Sequence, residues 1–115
     1  MVDIDLIQET KDFISALGYK KEDIQWMGGR DFAIPINDFW NSKPQFYSAG
    51  YGWQEVAPDF KVAFKDHSWI QREEYDGSEW WEYYCYPEMP LRIESVNNFI
   101  AKNYEQSLAE INHVK

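Results

Sequence analysis

Cysteine and histidine are scarce in this sequence, one and two in 115 positions, and its eleven basic residues are outnumbered by twenty acidic ones. A single thiol, Cys85, excludes an intramolecular disulfide, and a reducing, cytoplasmic compartment is the simplest home for such a chain. His67 and His113 lie too far apart, and with too few partners, to make a zinc pattern. No Asp-x-Asp-x-Asp-Gly calcium loop occurs. Met27-Gly28-Gly29-Arg30 lacks the length and the Lys-Ser/Thr of a phosphate-binding loop, and reads as a bend. The sequence therefore implies no cofactor and no metal. Asp66-His67-Ser68 has the residue types of a hydrolytic triad, but neighbours in a turn do not converge on one reacting atom, so no catalytic residue is assigned. No run approaches the roughly 18 apolar residues of a membrane span, and the first residues combine neither a basic segment nor an apolar one. The expectation is a soluble protein without a signal peptide.

What is present is aromatic and acidic. Hydrophobic residues make up 44% and charged residues 27%, ordinary for a globular chain, whereas aromatics reach 18% and the formal charge is −9. The length suits one domain spanning residues 1–115, with a single modest core. An excess of carboxylates argues against direct nucleic-acid binding, which draws its affinity from Lys and Arg. Acidic surfaces suit basic partners instead.

Ile4, Ile7, Ile14 and Leu17, with Leu6 and Phe13 beside them, recur near helical spacing, so the pattern predicts a helix over about residues 3–17, capped by Asp3 or Asp5. Gly18 follows at a C-terminal cap position, and Tyr19 is placed to fold back on the last turn. Short alternations of aromatic and β-branched residues then predict strands near 24–27, 32–39, 45–51, 59–65, 68–75 and 78–84. Pro35 within the second demands an edge or a bulge. Ala49-Gly50-Tyr51-Gly52-Trp53 suits a tight turn or a binding loop. Val96, Ile100, Tyr104 and Leu108 step by four, with Phe99 and Ile111 widening the stripe, and predict a helix from about Ser95 onward. The expected fold class is α+β: an N-terminal helix, a central antiparallel sheet of five or six strands, and a C-terminal helix packed on the sheet.

Asp76-Gly77 is the strongest local signal, because a two-residue type I′ turn needs φ > 0 at both central positions. It fixes a register in which Tyr75 faces Ser78, Glu74 faces Glu79, Glu73 faces Trp80, Arg72 faces Trp81, Ile70 faces Tyr83 and Trp69 faces Tyr84. One face then carries Trp69, Tyr75, Trp80 and Tyr84, the other Ile70, Arg72, Trp81 and Tyr83. Such two-sided aromatic character implies either cover on both faces or an exposed aromatic surface. Glu74 opposite Glu79 is an unfavourable like-charge pair, which Arg72 is placed to offset diagonally while lying over Trp81. Cys85, between Tyr84 and Tyr86, has no basic neighbour and reads as buried.

The segment W-I-Q-R-E-E-Y-D-G-S-E-W-W-E-Y, followed by P-E-M-P, resembles a core segment of small uncharacterised phage and prophage proteins. The resemblance extends over about Asp31 to Pro90, is strongest over Trp69 to Tyr83, and leaves both predicted helices unmatched. In size, acidity and layout the chain is also similar to phage-encoded anti-defence proteins of the anti-CRISPR kind. That resemblance implies carboxylates presented where a basic nucleic-acid groove expects phosphates.

The leading expectation is thus an acidic protein-binding module, an inhibitor of a basic nucleic-acid-handling protein, and not an enzyme. Glu73, Glu74, Asp76, Glu79 and Glu82 are expected to supply the charge, and an exposed subset of Tyr75, Trp80 and Trp81 the anchors. Two alternatives stand beside it: an aromatic platform for a sugar ring or base, built from Trp40, Trp53, Trp69 or Trp80, and a virion or assembly protein whose aromatic face is buried in a homo-oligomer.

Overall fold

The computed structural model describes residues 3–48, 50 and 52–115. The fold is α+β, with a five-stranded antiparallel sheet and a second sheet of two strands. Asp3–Asp5 form β1 and Leu6–Ala16 form α1. Asp5 caps α1 by accepting the Ile7 N–H at 3.1 Å. At the other end Gly18 takes φ +89°, the Gly18 N–H bonds the Ser15 carbonyl, and the Tyr19 N–H bonds the Ile14 carbonyl. This paired closure carries Tyr19 back onto the body, where its ring stacks on Phe64 at 4.0 Å.

A short 3-10 turn, Lys21–Asp23, leads into β2, Ile24–Gly28, and then β3, Ala33–Ile34. β3 is an edge strand of two residues, much shorter than the strand expected over 32–39. Pro35 has no N–H to continue a ladder; its φ of −60° starts the one-turn helix α2, Ile36–Trp40, which turns Phe39 into the core. β4, Phe46–Ser48, does not join the main sheet but pairs with β1. The expected continuation of that strand through positions 49 and 51 lies outside the described residues. β5, Lys61–Phe64, β6, Ser68–Tyr75, and β7, Ser78–Cys85, complete the main sheet in the order β3-β2-β5-β6-β7.

The core lies on one face of this sheet. Ile7 and Ile14 of α1 and Phe39 of α2 pack against Ile24, Met27, Val62, Phe64, Ile70 and Trp81, all buried. Alternation within each strand sends the other side chains to the opposite face, which neither α1 nor α2 covers.

The expected C-terminal helix packed on the sheet is not what the structure shows. Among residues 95–115 only Leu108–Ile111 are helical, forming α3, which Ser107 and Glu110 cap reciprocally. Of the expected stripe, Phe99, Ile100, Tyr104 and Leu108 are exposed and Val96 and Ile111 only half-buried. Spacing supplied the stripe, but the chain leaves β7 through Tyr86-Pro87-Glu88-Met89-Pro90, which carries it off the body. The radius of gyration is 19.2 Å, against about 13 Å for a compact chain of this length. No helix among the described residues is long and apolar enough to cross a membrane.

Candidate functional site

The β6–β7 hairpin has the register its turn dictates, from Tyr75 opposite Ser78 to Trp69 opposite Tyr84. Asp76 and Gly77 take φ values of +51° and +86°, as the type I′ turn requires. The two faces have different fates.

On the inner face Arg72 and Glu79 form an ion pair at 3.0 Å with both side chains 0% exposed. Glu79 also accepts the N–H groups of Glu55 (2.8 Å) and Val56 (3.2 Å), so its carboxylate pins the 55–56 loop to β7. The Arg72 guanidinium lies between the rings of Tyr47 (5.2 Å) and Trp81 (5.1 Å), and donates to the Tyr47 hydroxyl. Glu9 on α1 stands 3.4 Å from Arg72 and accepts from the Tyr47 hydroxyl at 2.8 Å. Burial pushes the Tyr47 phenol up to about 12, with Glu9 adding to the shift and Arg72 opposing it. Trp81 donates its indole N–H to Thr10 Oγ1 at 2.9 Å, and the Thr10 hydroxyl donates in turn to the Leu6 carbonyl. Two expected partner-binding residues, Glu79 and Trp81, are thus structural: α1 and the 55–56 loop cover them, so neither is offered to a partner. The offsetting role expected of Arg72 is present, and it is buried.

The remaining candidates reach the surface. Glu74, Asp76 and Glu82 are exposed, Tyr75 projects from the tip, and Trp80 is partly exposed on the outer face. Glu73 is half-buried there, accepting from the Tyr84 hydroxyl at 2.6 Å and from Gln71 Nε2 at 2.8 Å. The Tyr84 bond, and after it the Gln71 bond, holds the Glu73 carboxyl below its ordinary range; the same Glu73 contact pushes the Tyr84 phenol up to about 12. Glu74 turns back to accept the Gly77 N–H at 2.9 Å, bracing the turn.

Sequence reasoning missed a second feature of the outer face. Trp26, Ala63, Trp69 and Tyr84 are consecutive register partners across β2, β5, β6 and β7, making one row. Trp69 stacks on Tyr84 at 5.7 Å and meets Tyr86 edge-on at 5.6 Å. Trp26 joins this row through a β-bulge between Ile24 and Trp26, which strict alternation from Ile24 does not anticipate. Of the tryptophans considered as a ligand platform, Trp69 lies in this row and Trp80 on the same face. Trp40 sits apart beneath Lys11 and Lys21, and Trp53 projects alone from a loop. Cys85 is exposed, contrary to expectation, because β7 is an edge strand whose end nothing covers.

Asp66-His67-Ser68 makes the β5–β6 turn, with His67 at φ +70°. Asp66 accepts from the Ser68 backbone and side chain and from the Tyr19 hydroxyl, so Ser68 is tied to Asp66 and not to His67. The Ser68 and Tyr19 bonds hold the Asp66 carboxyl below the usual range, and burial with the Asp66 contact raises the Tyr19 phenol. This cluster closes a turn. A cleft of about 440 Å³ opens between α1, α2 and the 55–60 loop, with Asp38, Ser42, Gln45, Tyr47 and Glu55 as its polar side chains. Among the described residues its one hydroxyl from serine, Ser42, donates to the Asp38 carbonyl. No three His, Cys, Asp or Glu side chains converge to hold a metal among the described residues.

No protein-family model, curated protein or solved structure matches this chain.

Proposed function

We propose that this protein is a small acidic protein-binding module that engages a basic partner through the exposed surface of the β6–β7 hairpin. One observation carries the reading. Arg72 is the only cation between Ser68 and Cys85, and it is buried against Glu79. Burial therefore removes one charge of each sign and leaves Glu73, Glu74, Asp76 and Glu82 as the hairpin's outward charges. A solvated hairpin needs no such one-sidedness, whereas a basic surface is steered by it at long range. Tyr75 and Trp80 stand among these carboxylates as anchors of the kind that dominate interfaces. In its finer form, which rests on the likeness in size, acidity and layout to phage-encoded anti-defence proteins, the partner is a nucleic-acid-handling host protein and the carboxylates take the places of phosphates.

The test compares the wild-type chain with Glu74→Gln/Asp76→Asn/Glu82→Gln, immobilised in parallel and exposed to the heparin-binding fraction of a nuclease-treated bacterial lysate. Wild type should retain a basic protein that elutes with salt, and the triple variant should lose it. Affinity measured on that protein should fall with ionic strength for wild type and less steeply for the variant. Equal retention and equal salt slopes would overturn the reading.

A further inference from the structure

Beyond β7 the chain carries a second, unrelated surface. Met89, Leu91, Ile93, Phe99, Ile100, Tyr104 and Leu108 are all at least half exposed. Water is a poor place for them: Phe99 and Tyr104 alone offer roughly 300–500 Å². With the five aliphatic side chains the arm approaches the ~800 Å² that one side of a stable interface buries. The outer face of the main sheet, which neither α1 nor α2 covers, carries Trp26, Trp69, Trp80 and Tyr84 and is present once per chain.

We propose that residues 87–111 of one copy seat on the outer sheet face of a second copy, each chain lending its arm to the other around a two-fold axis. Three features favour exchange over docking on the chain's own sheet. Pro87 and Pro90 fix their own φ and hold Tyr86 and Met89 extended, so the link from Tyr86 to Leu91 is a stiff strut of roughly 15 Å, and the chain is extended, with a radius of gyration of 19.2 Å. The arm is also closed on itself, with Arg92 bonded to the Lys115 carbonyl and the Asn112 side chain bonded to both the N–H and the carbonyl of Asn98. It therefore moves as a unit. Reciprocity finally leaves no arm and no face unpaired, the condition for a closed dimer.

The receiving surface has a shape as well as a polarity. In the row Trp26-Ala63-Trp69-Tyr84 the small Ala63 separates two indoles two strand spacings apart, about 10 Å, which leaves a notch for one ring or branched side chain. Tyr86, already against Trp69, leads the chain out beside it. On docking, the closed arm would present its exposed Ile100, Tyr104 and Leu108 to the face, with Phe99 as the knob for the notch. The tip residues Tyr75 and Asp76 lie some six residues along the hairpin, about 20 Å from this row, whereas Glu73, Trp80 and Glu82 share its face; self-association and capture of a basic partner are read by different assays, so either can fail without the other.

The experiment is sedimentation velocity on the full chain from low to high micromolar concentration, with two variants: Phe99→Asp/Ile100→Asp in the arm and Ala63→Arg in the notch. Circular dichroism checks that each is folded. Wild type should sediment as a dimer, each variant alone as a monomer, and an equimolar mixture of the two variants should recover dimer, because one intact arm then meets one intact face. A monomeric wild type overturns the proposal, including the case in which small-angle scattering shows the arm folded on its own sheet. A dimer that survives both variants, or a mixture that stays monomeric, overturns it equally.

Discussion

Replacing Glu79 by alanine separates a buried carboxylate from a displayed one. The structure gives Glu79 three hydrogen bonds, from Arg72 and the N–H groups of Glu55 and Val56, with no exposed side-chain surface. Removing it strands the Arg72 guanidinium between two rings, with only Tyr47 and a 3.4 Å contact to Glu9 remaining. Arg72 Nε is already without a partner among the described residues. Truncating one partner of a buried pair costs about 3–5 kcal/mol. Against a total stability of about 5–15 kcal/mol that is a large fraction. It corresponds to a fall in Tm of roughly 10–20 °C at this chain length. An exposed hairpin glutamate would instead change stability by less than about 0.5 kcal/mol. The assay is urea unfolding followed by tryptophan fluorescence, with the m-value checked for constancy. The paired variant Arg72→Met/Glu79→Leu should recover much of the loss, since an apolar pair needs no desolvation. It should remain below wild type because the two loop N–H groups stay unsatisfied. A Glu79→Ala loss under about 1 kcal/mol at constant m would refute the buried-pair account.

Two further outcomes follow from neighbouring geometry. Thr10→Val should cost about 1–3 kcal/mol by orphaning the Trp81 indole N–H, while Thr10→Ser should retain most of the stability; equal urea midpoints for the Val variant and wild type would remove Thr10 from the core network. Tyr47 and Tyr84 have phenols raised from 10.0 to about 12, so the neutral form is favoured by folding. Their contribution is complete below pH 10 and is lost as pH rises through about 12, so stability should decline across that window. Phenolate absorbance should show this late ionisation in wild type and less of it in Tyr47→Phe; all tyrosines ionising together near 10 would contradict the burial of Tyr47.

Much of the fold was legible because it is locally encoded. The stripe of α1, its Asp5 cap and the reversal at Gly18 depend on residues a turn apart, and the bounds of β6 follow from the Asp76-Gly77 turn. The strand at Asp3–Asp5 was not legible, since its pairing with β4 is set by residues more than 40 positions away. The C-terminal stripe shows the converse failure: four-residue spacing is necessary for an amphipathic helix, yet a helix that meets no surface lacks the burial that stabilises it.

The candidate site divides in the same way. Alternation and a two-residue turn determine, from sequence alone, that Arg72, Glu74, Glu79 and Trp81 share one face and Glu73, Trp80, Glu82 and Tyr84 the other. They cannot determine which of the two faces is covered, because the sheet has the same register whichever side α1 packs against. Tertiary structure made that choice by seating Ile7, Thr10 and Ile14 over Trp81. Glu79 and Arg72 thereby became an internal tie, and the acidic, aromatic side was left facing outward.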